Sequence, residues 1–136
     1  MNAHLGTQGS LLVVTDLMGT TLRDDGAVLP AYRTDIVVHC GWGDLFDAVV
    51  YPDGVPAGRP APYLIFQAMQ KTRVHPVARV AAIGDTALDL QAGANAGTGW
   101  GIGVLSGAHD VATLGRTPHT HLLPSTAEVP LLFGID

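Results

Sequence analysis

Four charged side chains stand out for where they fall in the chain. Asp16 closes the apolar run "LLVVTDL" (residues 11–17), and Asp85 closes "ARVAAIGD" (78–85). Asp89 follows Asp85 by one helical turn, and Arg59 sits in "AGRPAPY" just before a proline that opens a helix. Continuous apolar runs of this kind read as parallel strands covered on both faces. In open α/β sheets, ligands bind beyond the carboxyl ends of such strands, which sends Asp16 and Asp85 to one crevice. Three carboxylates converging there repel one another unless a cation neutralises them, so the spacing asks for a hard ion such as Mg²⁺. A cation at the position of Arg59 opposes the positive end of the helix dipole, so local stability does not account for it, whereas an anion bound there would. Each residue also has a plainer reading. Thr86-Ala87-Leu88-Asp89 fits a helix-opening capping box, Asp85 suits a turn, Asp16 a strand terminus and Arg59 a solvated surface.

The elements that must position these groups alternate. After the strand at 11–17 comes a Gly/Asp turn region (19–26). In "YRTDIVVHCGWGDLF", Ile36, Val37 and Val38 favour strand by β-branching, while the length before Gly41 suits a short helix, the preferred reading. "FDAVVYP" (46–52) reads as a second strand, and "RPAPYLIFQAMQKTRV" as a helix opened by prolines, with Ile65 and Met69 on one face. "ARVAAIGD" is a third strand, "TALDLQAGANAG" a helix closed by Gly97, and "GWGIGVLSG" a fourth strand. A short helix near 109–115, a short strand at "HTHLLP" and a helical turn at 125–133 complete the order. Strand–helix alternation predicts right-handed βαβ units and a mostly parallel sheet. The expected fold is a three-layer, Rossmann-like α/β core with helices on both faces. One core domain over 11–136 follows an N-terminal extension, 1–10.

Composition narrows the function classes. Hydrophobic residues make up 47% of the chain and charged residues 14%, which excludes a disordered tail. Net charge is −5 and the seven basic residues are scattered, so no footprint for nucleic acid or an anionic membrane is present. Cys40 stands alone, which rules out an internal disulfide and fits a reducing compartment. "MNAHLGTQGS" lacks a basic segment followed by an apolar one, and no apolar run approaches membrane length, so the expected location is cytoplasmic. His119 and His121 share a strand face by period two but read as structural, like the other four histidines. Trp42 and Trp100 read as core.

The motif residues carry a family resemblance. "DLMGTT", "GRPAPYLIF" and "GDTALDLQAG" resemble motifs I, III and IV of the haloacid dehalogenase superfamily of phosphohydrolases. "GWGDLFDAVV", "PAGRPAPYLIF", "GDTALDLQAGANAGTGWGIGVLSGAHD" and "HTHLLPS" are similar to its phosphonatase-like branch, the relatives of phosphonoacetaldehyde hydrolase. The resemblance covers most of residues 11–130. It implies that Asp16 is the nucleophile on phosphorus, and that its carboxylate, the Met18 carbonyl and Asp85 hold Mg²⁺. Asp89 becomes a metal ligand or a support for the ligands, Thr20 steadies the loop and binds phosphate, and Arg59 replaces the motif III lysine or arginine on the phosphate. The implied partner is a small phosphorylated metabolite. A carboxylate nucleophile divides hydrolysis into two steps, and Mg²⁺ with Arg59 offsets charge on the transferring group.

The chain departs from the family pattern in three places. The superfamily's phosphatases carry an aspartate two residues after the nucleophile as general acid/base, and here Met18 holds that place; a thioether transfers no proton. Phosphonatases instead use a cap-domain lysine as a Schiff base. The one lysine here, Lys71, reads as a solvated helix residue, and there is almost no room for a cap between Gly26 and Tyr32. A strand ending in a phosphate-binding Ser or Thr is missing as well, for which Thr34 is a poor substitute; cap and motif II look deleted together. Either "FDAVV" then moves inward beside the first strand, or residues 36–39 fill the gap, since buried backbone groups need partners. An open edge and uncovered apolar surface otherwise favour a two-fold homodimer. The expected function is a capless, Mg²⁺-dependent phosphohydrolase; the alternative is a domain that keeps a metal and anion pocket without turnover and serves as a binding module.

Overall fold

A computed structural model of the chain describes residues 2–3, 11–15 and 47–134. The strands are β1 (Asn2–Ala3), β2 (Leu11–Thr15), β3 (Val80–Gly84), β4 (Trp100–Val104) and β5 (His121–Leu123). The helices are α1 (Tyr63–Thr72), α2 (Ala87–Ala96), α3 (Val111–Gly115) and α4 (Val129–Leu132). Sheet order is β1-β2-β3-β4-β5; β1 runs antiparallel to β2, and the other neighbouring pairs are parallel.

Period-two alternation assigns each strand's side chains to two separate cores. Leu12, Val80 and Ala82 face α1 and α2, where they pack with Ile65, Ala68, Met69, Ala92 and Ala96. Leu11, Val13, Ala81, Ile83, Ile102 and Val104 face the other way, against Val129, Leu132 and Phe133 around α4. Helices therefore cover both faces, as the uninterrupted apolar strands predict. Trp100 joins the second core, its ring edge-on to Phe133 with centroids 5.2 Å apart. Full burial of one such aliphatic side chain contributes about 1.5–3 kcal/mol.

Helix ends follow local chemistry. α2 begins at the capping box of Thr86 and Asp89 and ends at Gly97, whose φ of 79° is left-handed and suits a residue without Cβ. α1 begins at Tyr63 after Pro62, three residues later than Pro60 suggests.

The reading of "FDAVVYP" as a strand is corrected: residues 48–51 form no strand, and Pro52–Gly54 form a 3-10 turn. A strand needs a ladder, and this segment is tied down differently. Lys71 donates from Nζ to the Val49 carbonyl at 3.0 Å, and Val50 packs on the α1-side core. Lys71 is exposed, yet this bond fixes it to a specific carbonyl. Beside Leu11 and Leu12, the flank of β2 away from β3 is taken by Asn2–Ala3. The alternative strand at 36–39 lies outside the described residues, as do Cys40 and Trp42. Among the described residues no helix is long and apolar enough to cross a membrane.

Candidate active site

β2 and β3 run parallel with Thr15 opposite Ile83, so both strands release the chain at the same end of the sheet. At that end β3 passes through Gly84 to Asp85, whose side chain is buried, with the residue 2% exposed. A carboxylate this deep needs hydrogen-bond partners. Its Oδ2 accepts from the Ala108 N–H at 2.7 Å, and its backbone carbonyl accepts from the His109 N–H at 3.2 Å. The loop after β4 is thereby laid against the end of β3.

The chain then turns into α2. Thr86, extended at φ −122° and ψ 158°, is the N-cap, and its Oγ1 accepts from the Asp89 N–H at 3.3 Å. Asp89 replies through Oδ2, which accepts from the Thr86 N–H at 3.1 Å and from its hydroxyl at 2.8 Å. The capping box that the sequence allows at Asp89 is thus present. Its other oxygen, Oδ1, accepts from Arg59 Nη1 in an ion pair. The side chains of Arg59 and Asp89 are 27% and 6% exposed, so the pair is held largely out of water.

Arg59 is tethered a second time through its neighbour. Asn95, near the end of α2, donates from Nδ2 to the Pro60 carbonyl at 2.7 Å, and Gln91 Nε2 donates to Asn95 Oδ1 at 3.0 Å. One helix therefore holds the Arg59–Pro60 turn at both ends, through Asp89 and Asn95. The side-chain pairing with Asp89 supplies the reason for a cation here that the helix dipole does not.

Of the residues singled out from the sequence, Asp85, Asp89 and Arg59 are gathered at the carboxyl end of β3. Asp16, Met18 and Thr20 lie outside the described residues, as does Thr34. Among the described residues no three of His, Cys, Asp and Glu cluster to hold a metal ion. Asp85 nonetheless fits a hard cation, being a buried oxygen donor at a strand end; both oxygens of Asp89 serve Arg59 and Thr86. His119 and His121 each turn Nδ1 to a nearby oxygen, the Thr117 carbonyl and Thr120 Oγ1, consistent with structural roles.

Three contributors were not legible in the chain. Gly84 leaves the space that Asp89 fills, Asn95 anchors the Arg59 turn, and His109 accepts at Nδ1 from the Ala87 N–H at 3.0 Å. Next to His109, Asp110 caps α3 by accepting from the Thr113 N–H at 2.9 Å. That bond, with help from the Thr113 hydroxyl, holds the Asp110 carboxyl below the ordinary aspartate range.

The chain is similar in sequence and fold to known proteins. A family model described as a haloacid dehalogenase-like hydrolase matches residues 12–97, more than half of the chain. Phosphonoacetaldehyde hydrolase of Bacteroides fragilis is 39% identical over 79 residues, 58% of this chain and 29% of the relative. That of Bacillus cytotoxicus is 40% identical over 65 residues, 48% of this chain and 24% of the relative. The matched segment thus spans less than a third of these relatives' length. The crystal structure of a hydrolase from Pseudomonas syringae superposes with a TM-score of 0.57 at 29% identity, covering 63% of this chain and 39% of that one. A haloacid dehalogenase-like structure from Bacteroides fragilis superposes at 0.63 with 24% identity, covering 72% and 47%, and supports the fold.

Proposed function

The chain belongs to the haloacid dehalogenase-like hydrolase family, and from that membership we propose a Mg²⁺-dependent phosphohydrolase that uses Asp16 as nucleophile on a small phosphorylated molecule. One observation carries the reading: Asp85 is buried at the end of β3, at the same end where β2 releases the chain toward Asp16, with the Arg59–Asp89 pair alongside.

In this reading Asp16, the Met18 carbonyl and Asp85 hold the metal, and Asp89 supports the group from behind. When bound, Mg²⁺ supplies positive charge that offsets the developing charge on the phosphoryl oxygens. The Asp16 carboxylate attacks phosphorus, a new O–P bond forms, and the bond to the leaving-group oxygen breaks. Water then cleaves the aspartyl phosphate, releasing inorganic phosphate and restoring the carboxylate. Arg59 stabilises the transferring group while its tethers to α2 keep it in place, and Thr20 holds the nucleophile loop and a phosphate oxygen. Fixed donors of this kind act without reorganising during the reaction.

The leaving group must depart without a proton from residue 18, because Met18 has none to give. Good general acid catalysis is worth about 10² to 10⁴ in rate. The substrate class is therefore an acyl phosphate or an ester of an acidic alcohol or phenol, whose leaving group is stable as an anion.

A phosphatase screen with Mg²⁺, comparing wild type with Asp16→Asn, tests the reading. Turnover of acyl or aryl phosphates should fall by roughly three orders of magnitude or more in the variant. Equal rates in both proteins would remove Asp16 from the reaction. Mg²⁺ binding with no turnover of any phosphate would leave a binding module instead.

A further inference from the structure

We infer that His109 is a positioning residue: by pinning the loop after β4 to the first turn of α2, it fixes the orientation of the Asp85 carboxylate. This deepens the proposed function and rests on its assignment of Asp85 to the metal.

The loop in question, residues 105–110, has little of its own to hold it. Residues 105–108 are exposed and include Ser106, Gly107 and Ala108, so packing supplies almost no restraint. Its start is tied by the Leu105 N–H to the Leu123 carbonyl at 2.9 Å, and its end by the Asp110 cap on α3. Between these ends, three hydrogen bonds cross to the segment 85–87. Ala108 N–H reaches Asp85 Oδ2 at 2.7 Å, His109 N–H reaches the Asp85 carbonyl at 3.2 Å, and Ala87 N–H reaches His109 Nδ1 at 3.0 Å.

Only the last of the three depends on what residue 109 is. It also meets a need of the helix. The first N–H groups of a helix lack intrahelical acceptors, and the capping box satisfies those of Thr86 and Asp89 but not Ala87. His109 supplies the acceptor from 22 residues away, while the residue itself is half-buried. The imidazole therefore links the helix that carries Asp89 to the loop that binds Asp85. Fixing Oδ2 against the Ala108 N–H restricts rotation of the carboxylate plane, and outer partners that orient a ligand typically change metal affinity by about 10- to 100-fold.

The test uses the whole chain and two readouts. Amide exchange followed by NMR in the absence of metal reports the loop, and calorimetric titration with Mg²⁺ reports Asp85. His109→Ala should speed exchange of the Ala108 amide about tenfold and weaken Mg²⁺ binding about tenfold, at the lower end of that range. His109→Asn can place Oδ1 where the imidazole places Nδ1, and should restore both. His109→Phe keeps a ring but has no acceptor, and should behave like His109→Ala even if the smaller variant fails to fold. An Ala108 amide unchanged in His109→Ala and His109→Phe overturns the pin. Faster exchange with unchanged Mg²⁺ affinity overturns the positioning role. A wild type that binds no Mg²⁺ at all instead overturns the proposed function, and the exchange data still decide whether His109 pins the loop.

Discussion

The side chain of Asp89 lies over Gly84, so close that a Cβ added to Gly84 would come 2.1 Å from the Asp89 Cβ and 2.3 Å from its carboxyl. Asp89 cannot cap α2 and pair with Arg59 from its present position unless residue 84 has no side chain. Gly84→Ala should therefore displace Asp89 rather than merely crowd the strand. Overpacking of this kind costs about 1–3 kcal/mol. Urea denaturation measures the loss, and Arg59→Ala in the Gly84→Ala background should add less than it does in wild type, because the pair is already disturbed. Full additivity would mean that Asp89 has kept its place.

Mg²⁺ should bind wild type and stabilise it. A ligand that binds only the folded state at one hundred times its Kd adds about 2.7 kcal/mol. Calorimetry and a thermal scan with and without Mg²⁺ check this. The double variant Asp16→Ala, Asp85→Ala should lose both signals, and binding as tight as wild type in that variant would refute the site.

Acid should loosen the loop–helix junctions before it reaches the core. Asp110, through the Thr113 N–H and hydroxyl, and Glu128, through the Ser125 hydroxyl, both have carboxyls lowered from their ordinary values in the folded chain. A lowered folded value means that the stabilisation is present above the unfolded value, about 4, and is lost as pH falls through the folded one. Melting temperature should thus drop as pH falls below about 4, and an Asp110→Asn variant should show a shallower drop. An identical slope in that variant would assign the acid sensitivity elsewhere.

What could be read from the chain and what could not divides along sequence distance. β3, α2 and β4 were legible because each announces itself locally: apolar runs for the strands, the Thr86–Asp89 box for the helix start and Gly97 for its end. "FDAVVYP" misled because β-branched residues fit any half-buried extended segment, while strand formation depends on a neighbour. Here the Val49 carbonyl is taken by Lys71, 22 residues away. The place of Asp85 at the carboxyl end of a buried strand was legible from the apolar run before it. The Arg59–Asp89 pair joins positions 30 residues apart, and the His109–Ala87 bond 22 apart. No local pattern marks such partners. Asn2–Ala3, read as an extension, pairs with β2 by backbone hydrogen bonding, which carries little side-chain signature.

This chain should not hydrolyse phosphonoacetaldehyde through a Schiff base, although similar proteins carry the name phosphonoacetaldehyde hydrolase. An imine needs an unprotonated amine aimed at the substrate carbonyl, usually one desolvated in an apolar pocket. Lys71 is the one lysine of the chain, and it lies exposed near the end of α1, with Nζ donating to the Val49 carbonyl. That bond turns it toward the 49–54 segment. Borohydride reduction in the presence of the aldehyde, read by intact mass, should give no adduct in wild type. A trapped adduct that disappears in Lys71→Ala would show that the lysine leaves Val49 to reach substrate, and the phosphohydrolase reading would then have to give way to imine chemistry.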